Sequence, residues 1–80
     1  LRVFVRYFAR TRELTGRGSE HISLPEGSDI GSLISVIEKK YSLSLKGYPL
    51  FFSVNQEYGG PDTKLSDGDE VALLYPPSGG

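Results

Sequence analysis

Val71-Ala72-Leu73-Leu74-Tyr75-Pro76-Pro77-Ser78-Gly79-Gly80 begins as a strand and ends without side chains. Val71 to Tyr75 is apolar and holds a β-branched and an aromatic residue, the composition of a buried strand. Pro76 and Pro77 then stop the pairing, because proline has no N–H to donate and its fixed φ favours an extended run. Ser78, Gly79 and Gly80 are small and cannot pack as core; they suit a narrow channel that excludes side chains. Two readings of the Gly-Gly end stand side by side. One is a frayed or residual terminus. The other is a working end whose Gly80 carboxylate is activated by adenylation and then attacked by sulfur to give a thiocarboxylate.

Working back from that end, 80 residues make one small domain with no room for two cores. This gives a folded unit over 1–75 and a flexible tail over 76–80. The chain has no cysteine, which excludes disulfides, thiolate metal ligands and a cysteine nucleophile and fits a reducing, cytoplasmic setting. No apolar run approaches the roughly 20 residues of a membrane helix. The chain opens on Leu1-Arg2-Val3-Phe4 without Met, which reads as a first strand behind a trimmed or incomplete N-terminus. A net charge of −1 argues against a nucleic-acid protein. All five arginines, Arg2, Arg6, Arg10, Arg12 and Arg17, lie near the start, whereas Asp62, Asp67, Asp69 and Glu70 gather before the tail. The arginines read as a solvated face with both signs present. The acidic group, near the working end in sequence, is the better candidate for docking.

Arg2 to Phe8 alternates, with Val3, Val5 and Tyr7 on one side and Arg2, Phe4, Arg6 and Phe8 on the other. Val3 and Val5 are assigned to the core. Phe4 and Phe8 then lie among arginines, covered by their stems or free for a partner. Ala9 to Leu14 is a short helix ended by Gly16 and Gly18. Glu20 to Leu24 is a second strand with Ile22 and Leu24 inward and Ser19, His21 and Ser23 outward, returning hairpin-like along the first. His21 is the only histidine and has neither a second ligand nor a nucleophile beside it, so no metal site and no catalytic histidine are expected.

Pro25-Glu26-Gly27 is a turn, Ser28 is the expected N-cap and Asp29 lies in the first helical turn. Ile30, Leu33, Ile34, Ile37 and Tyr41 form one helical stripe. Ser42 to Pro49 connects, with Leu43 and Leu45 tucked against the helix end. Leu50 to Val54 is a third strand, Asn55-Gln56-Glu57 a turn, and Tyr58 the start of a brief edge strand. Leu65-Ser66-Asp67-Gly68-Asp69 is a tight turn into the last strand. The Gly59-Gly60 pair and Gly16-Arg17-Gly18 lack the strand-to-helix setting of a nucleotide loop. The elements compose an α+β roll, one mixed sheet with a long helix across one face. The last strand is expected beside the first in the middle of the sheet, so that both apolar strands are covered.

Leu65-Ser66-Asp67-Gly68-Asp69-Glu70-Val71-Ala72-Leu73-Leu74, with Pro76-Pro77 and Gly79-Gly80 behind it, resembles the small subunit of molybdopterin synthase, the MoaD family. Phe8-Ala9, Arg12-Glu13-Leu14, Gly16, Leu24-Pro25-Glu26-Gly27-Ser28 and Val54-Asn55-Gln56 match the same pattern, so the resemblance spans nearly the whole chain. It implies a ubiquitin-like β-grasp fold and a sulfur carrier without a bound cofactor. An ATP-using adenylating enzyme of the ubiquitin-activating type (MoeB-like) would activate Gly80, a sulfur donor would make the thiocarboxylate, and the tail would enter a MoaE-like large subunit that holds the catalytic side chains. Sulfur would pass to precursor Z (cyclic pyranopterin monophosphate) to build the molybdopterin dithiolene. Gly80 alone would do chemistry in this chain; Gly79, Ser78, Pro77 and Pro76 would thread the channel, and Phe8, Tyr58 and Leu74 would face the large subunit. The family often has two residues between the prolines and Gly-Gly. Here only Ser78 stands there and Tyr75 precedes the prolines, so Tyr75 is added to the expected contacts. Carriers for thiamine (the ThiS family) or tRNA thiolation, and ubiquitin-like modifiers joined to lysines, share the adenylation step and stay as alternatives.

Overall fold

The computed structural model describes residues 1–75; the tail expected over 76–80, with Pro76, Pro77, Ser78, Gly79 and Gly80, lies outside them. The elements run β1 (Arg2–Tyr7), α1 (Ala9–Thr15), β2 (Ser19–Ser23), α2 (Ile30–Tyr41), β3 (Phe51–Val54), β4 (Glu57–Gly59) and β5 (Glu70–Leu74). They form one five-stranded sheet in the order β2-β1-β5-β3-β4. β1 and β5 pair in parallel, Val5 beside Val71 and Tyr7 beside Leu73, and the other neighbours are antiparallel. The two most apolar strands sit beside each other with neighbours on both sides, as their composition requires.

One face of the sheet is closed. Val3, Val5, Tyr7, Val71 and Leu73 are almost wholly buried there together with Ile30, Leu33 and Ile37 of α2, in a single cluster completed by Ile22, Leu24, Leu45 and Leu65. The stripe of α2 therefore meets the inward residues of the sheet. Burying a side chain of this size contributes about 1.5–3 kcal/mol. Ile34 and Tyr41, at the margin of the stripe, are only partly covered.

The helix start differs from the sequence expectation. Asp29, not Ser28, is the N-cap: its backbone is extended and its Oδ1 accepts from the Ser32 N–H at 2.8 Å and the Ser32 hydroxyl at 3.0 Å. These bonds, the backbone one first, hold the Asp29 carboxyl below its usual range. Ser28 is buried and its hydroxyl donates to the Pro25 carbonyl. The cause is tertiary. A β-bridge between Asp29 and Lys64 keeps Asp29 extended, so the helix begins one residue later.

Other boundaries move by one residue. β1 stops at Tyr7 and Phe8 becomes the N-cap of α1; β2 and β5 each start and end one residue early, and β3 starts at Phe51. The β3–β4 loop is Asn55-Gln56, with φ of +51° and +71°. Both values are the left-handed conformation of a two-residue hairpin turn that matches strand twist. The Asn55 side chain then ties this hairpin to β5, donating to Asp69 at 2.9 Å and accepting from the Glu70 N–H at 3.0 Å.

Candidate functional site

The second face of the sheet has no helix over it. The register assigns its residues: Phe4 lies beside Glu70, Arg6 beside Ala72, Ser53 beside Ala72 and Tyr58, and Phe51 beside Leu74. Strand alternation then places Phe4, Arg6, Ala72, Leu74, Phe51 and Tyr58 on one surface. Phe8 is 39% exposed, Phe51 51% and Tyr58 81%. The three large apolar side chains left most open are thus gathered on or beside the uncovered face, the signature of an interaction surface rather than of scattered exposure.

Phe51 and Tyr58 meet edge to face at 6.4 Å between ring centroids, against a shallow hollow of about 310 Å³. Phe8 sits where β1 turns into α1. Thr11, buried, fixes that corner: its hydroxyl accepts from the Phe8 N–H at 3.0 Å and donates to the Phe8 carbonyl at 2.7 Å. Ala9 takes a left-handed φ of +50° to make the corner, a conformation that costs a residue with a Cβ about 1 kcal/mol. The Arg6 guanidinium lies 5.6 Å over the Phe8 ring and 3.6 Å from Glu70. A cleft of about 520 Å³ opens alongside, with Phe4, Arg6, Phe8 and Arg12 in its walls.

Leu74 is half-buried at the end of β5. Because β1 and β5 are parallel, Phe8 and Leu74 emerge at the same end of the sheet. Tyr75 follows the strand, half-buried, with its ring 6.0 Å from Tyr48 at 63°. The structure therefore brings Phe8, Leu74 and Tyr58 to one face, sets Tyr75 at the root of the tail, and adds Phe51. The signal for Phe51 was its alternation against Leu50, Phe52 and Val54.

The acidic group before the last strand takes a different part from the docking role expected. Asp67 accepts from the Arg2 N–H at 2.8 Å, and Asp69 accepts from Asn55 and from the Ser66 N–H. These bonds close the turn. At 3.3 Å per residue the turn also lies roughly 17 Å from the end of β5, so closeness to the tail in sequence is not closeness in space. The arginines do form a solvated face of mixed sign, with Arg10 3.1 Å from Glu13 and Arg6 near Glu70. His21 points outward, its ring 4.9 Å from Phe4. Among the described residues no group of three or more His, Asp or Glu is placed to hold a metal, and no helix is long and apolar enough to cross a membrane.

One buried polar cluster is new. Glu20 lies opposite Val5 on the closed face with its side chain 5% exposed. It accepts from the Tyr7 hydroxyl at 2.6 Å, the Tyr41 hydroxyl at 2.5 Å and the Lys40 ammonium at 2.5 Å. Burial pushes its carboxyl up, but the bonds from Lys40, Tyr41 and Tyr7 outweigh burial and leave it below its ordinary range. Burial and the bond to Glu20 push the Tyr41 phenol up to about 12. This cluster fastens β2 to the end of α2.

The model of the ThiS family matches residues 5–80. The human molybdopterin synthase sulfur carrier subunit is 39% identical over 82 residues, covering 98% of this chain and 93% of that protein. A solved structure titled molybdopterin converting factor, subunit 1, from Pyrococcus furiosus superposes with a TM-score of 0.85 at 35% identity, over 95% of this chain and 98% of that one. A complex of subunits 1 and 2 of the molybdopterin-converting factor from Helicobacter pylori 26695 matches with a TM-score of 0.68 and 25% identity over the whole of both chains. The mixed sheet wrapped on one long helix is the ubiquitin-like β-grasp of these proteins. The chain belongs to the ThiS family, in the company of molybdopterin synthase sulfur carrier subunits.

Proposed function

We propose that the chain is the sulfur carrier subunit of a molybdopterin synthase, with the Gly80 carboxylate as the group that carries sulfur. The observation that carries this reading is the position of β5. A central strand, held on both sides by β1 and β3, runs straight from the core into Pro76-Pro77-Ser78-Gly79-Gly80. A rigid strand thus anchors an end with no bulky side chain.

The chemistry starts from the carboxylate. An oxygen of Gly80 attacks the α-phosphate of ATP in a MoeB-like activating enzyme, and pyrophosphate leaves. Sulfide then attacks the acyl carbon and AMP leaves, giving the thiocarboxylate. In the large subunit the sulfur passes to precursor Z, and water restores the carboxylate. Glycine at Gly79 and Gly80 lets a partner's backbone and catalytic groups close around the carbon. The uncovered face with Phe8, Phe51, Tyr58 and Leu74 is the surface for the large subunit, with Tyr75 beside it. The relative from Helicobacter pylori, titled as a complex of two subunits, supports a partner of that kind.

The test is the intact mass of the chain after incubation with ATP, sulfide and an activating enzyme. The expected result is the gain of one sulfur in place of one oxygen, absent when Gly80 is deleted, and release of that sulfur on adding precursor Z and a large subunit. Adenylation without sulfur gain, together with lysine adducts that depend on Gly80, would replace this reading with that of a protein modifier.

A further inference from the structure

We propose that Tyr48 is a positioning residue that holds Tyr75 and so fixes the direction in which the chain leaves β5 toward Gly80. The proposal rests on the reading of Gly80 as the working end. The last ladder partner of β5 is Leu74, beside Phe51, so Tyr75 is the first residue without a place in the sheet. Pro76 comes directly after it. A residue before proline is confined to extended backbone, and proline itself has no N–H to fasten. The Tyr75 ring is the last side chain among the described residues, and its contacts bear directly on the path toward Gly80.

That ring packs edge to face on Tyr48 at 6.0 Å. Tyr48 is well anchored for the task. Its N–H donates to the Leu45 carbonyl at 3.3 Å and its own carbonyl accepts from the Leu50 N–H at 2.8 Å. Leu45 is buried, and its N–H is held by the Glu38 carboxylate of α2 at 2.7 Å. The loop after α2, fastened to that helix through Leu45 and Glu38, thus holds the Tyr48 ring, and that ring meets the residue at the root of the tail. A reacting carbon displaced by about 1 Å can lose two orders of magnitude in rate, so the departure angle matters even though Tyr48 touches no substrate.

The experiment compares wild type, Tyr48→Ala, Tyr48→Phe, Tyr75→Ala and the double alanine variant as substrates of the activating enzyme, with ATP–pyrophosphate exchange as the readout. For Tyr48→Ala and Tyr48→Phe, KM stays within about twofold of wild type, because a positioning residue acts on the reacting end and not on docking; a loss confined to KM overturns the proposal. An edge-to-face pair lost from the orienting contact lowers kcat roughly 2- to 10-fold. Tyr48→Phe keeps the ring pair and retains wild-type kcat. Tyr75→Ala and the double variant fall to the same level as Tyr48→Ala, because the two rings act as one unit. In the free chain the NMR order parameter of the Tyr75 amide drops in Tyr48→Ala and not in Tyr48→Phe. Unchanged kcat, additive losses, or an unchanged Tyr75 amide overturns the proposal. Wild type inert in exchange with an enzyme active on another carrier would remove the function proposed above, while the Tyr75 amide would still decide whether Tyr48 holds the tail root.

Discussion

Replacing Glu20 by alanine removes the one buried charged side chain among the described residues. Three donors lose their acceptor. The Tyr7 hydroxyl belongs to a residue only 2% exposed, so water cannot replace Glu20; an unmet buried hydroxyl costs about 1–3 kcal/mol. Tyr41 is partly covered and loses a bond to a charged acceptor, about 1 kcal/mol net when water can compensate. Lys40 has a side chain 43% exposed and turns to solvent at little cost. The total is about 3 kcal/mol, against a stability of roughly 4–12 kcal/mol for a chain of this length. The melting temperature should fall by about 12–24 °C, measured by circular dichroism with a urea titration alongside. Glu20→Gln keeps one carbonyl acceptor for Tyr7 and should lose about half as much. The pH dependence has a definite sign. The folded-state carboxyl is held below its ordinary value of 4.5, so its contribution is fully present above that value and is lost as pH falls through the lower folded one. The Tyr41 phenol is raised from 10.0 to about 12, so its share is present below 10.0 and lost as pH rises toward 12. Glu20→Gln should flatten the acid limb of the stability curve relative to wild type. A loss under about 1 kcal/mol in Glu20→Ala, or parallel acid limbs for wild type and Glu20→Gln, would refute the argument that this cluster fastens β2 to α2.

Exposure and burial around the site set two further outcomes. Phe51→Ala and Tyr58→Ala each break one edge-to-face pair and leave the closed face intact, so stability should fall by no more than about 1.5 kcal/mol, while affinity for a molybdopterin synthase large subunit should drop roughly 5- to 30-fold; calorimetric titration giving wild-type affinity for both would take the uncovered face out of the interface. Thr11→Val keeps the volume but deletes the hydroxyl that grips both backbone groups of Phe8, for an expected loss of about 1–2 kcal/mol; a thermal midpoint equal to wild type would mean that the β1–α1 corner is held by packing alone.

Alternation made much of this molecule legible from sequence. Val3, Val5 and Tyr7, and Val71 and Leu73, are inward because a strand gives every second residue to one face, and the order β2-β1-β5 reflects two apolar strands that both need neighbours. The α2 stripe was equally plain. The features that escaped depend on contacts between distant segments. Glu20 has the same parity as the inward Ile22 and Leu24, yet a lone carboxylate faces inward only because Tyr7, Tyr41 and Lys40 converge on it. Ser28 and Asp29 are both competent caps, and the bridge to Lys64 chooses between them. Alternation sets Phe51 apart from Leu50, Phe52 and Val54, and the pairing of Phe51 with Leu74 then identifies its face as the open one. The Tyr48–Tyr75 contact joins a loop to a strand end, where no period exists to read.

The parallel pairing of β1 with β5 brings the uncovered surface and the root of the tail to one end of the sheet. Two parallel strands cannot be joined by a tight turn, and here the chain passes through α1, β2, α2, β3 and β4 before β5 lies beside β1. In return, both strands finish at the same edge: β1 delivers Phe8 there, and β5 delivers Leu74 and Tyr75, with the sequence to Gly80 directly after. An antiparallel β5 would release the tail at the opposite edge, beside Arg2 and the Asp67-Gly68 turn, away from Phe8. The same topology separates the two duties of the sheet. Its closed face binds α2 and supplies most of the stability, while Phe51 and Tyr58 stay 51% and 81% exposed on the other. Exposed aromatic residues on the open face, with Phe51 level with Leu74 where the chain departs, are what a domain requires if it must dock first and present its terminus second.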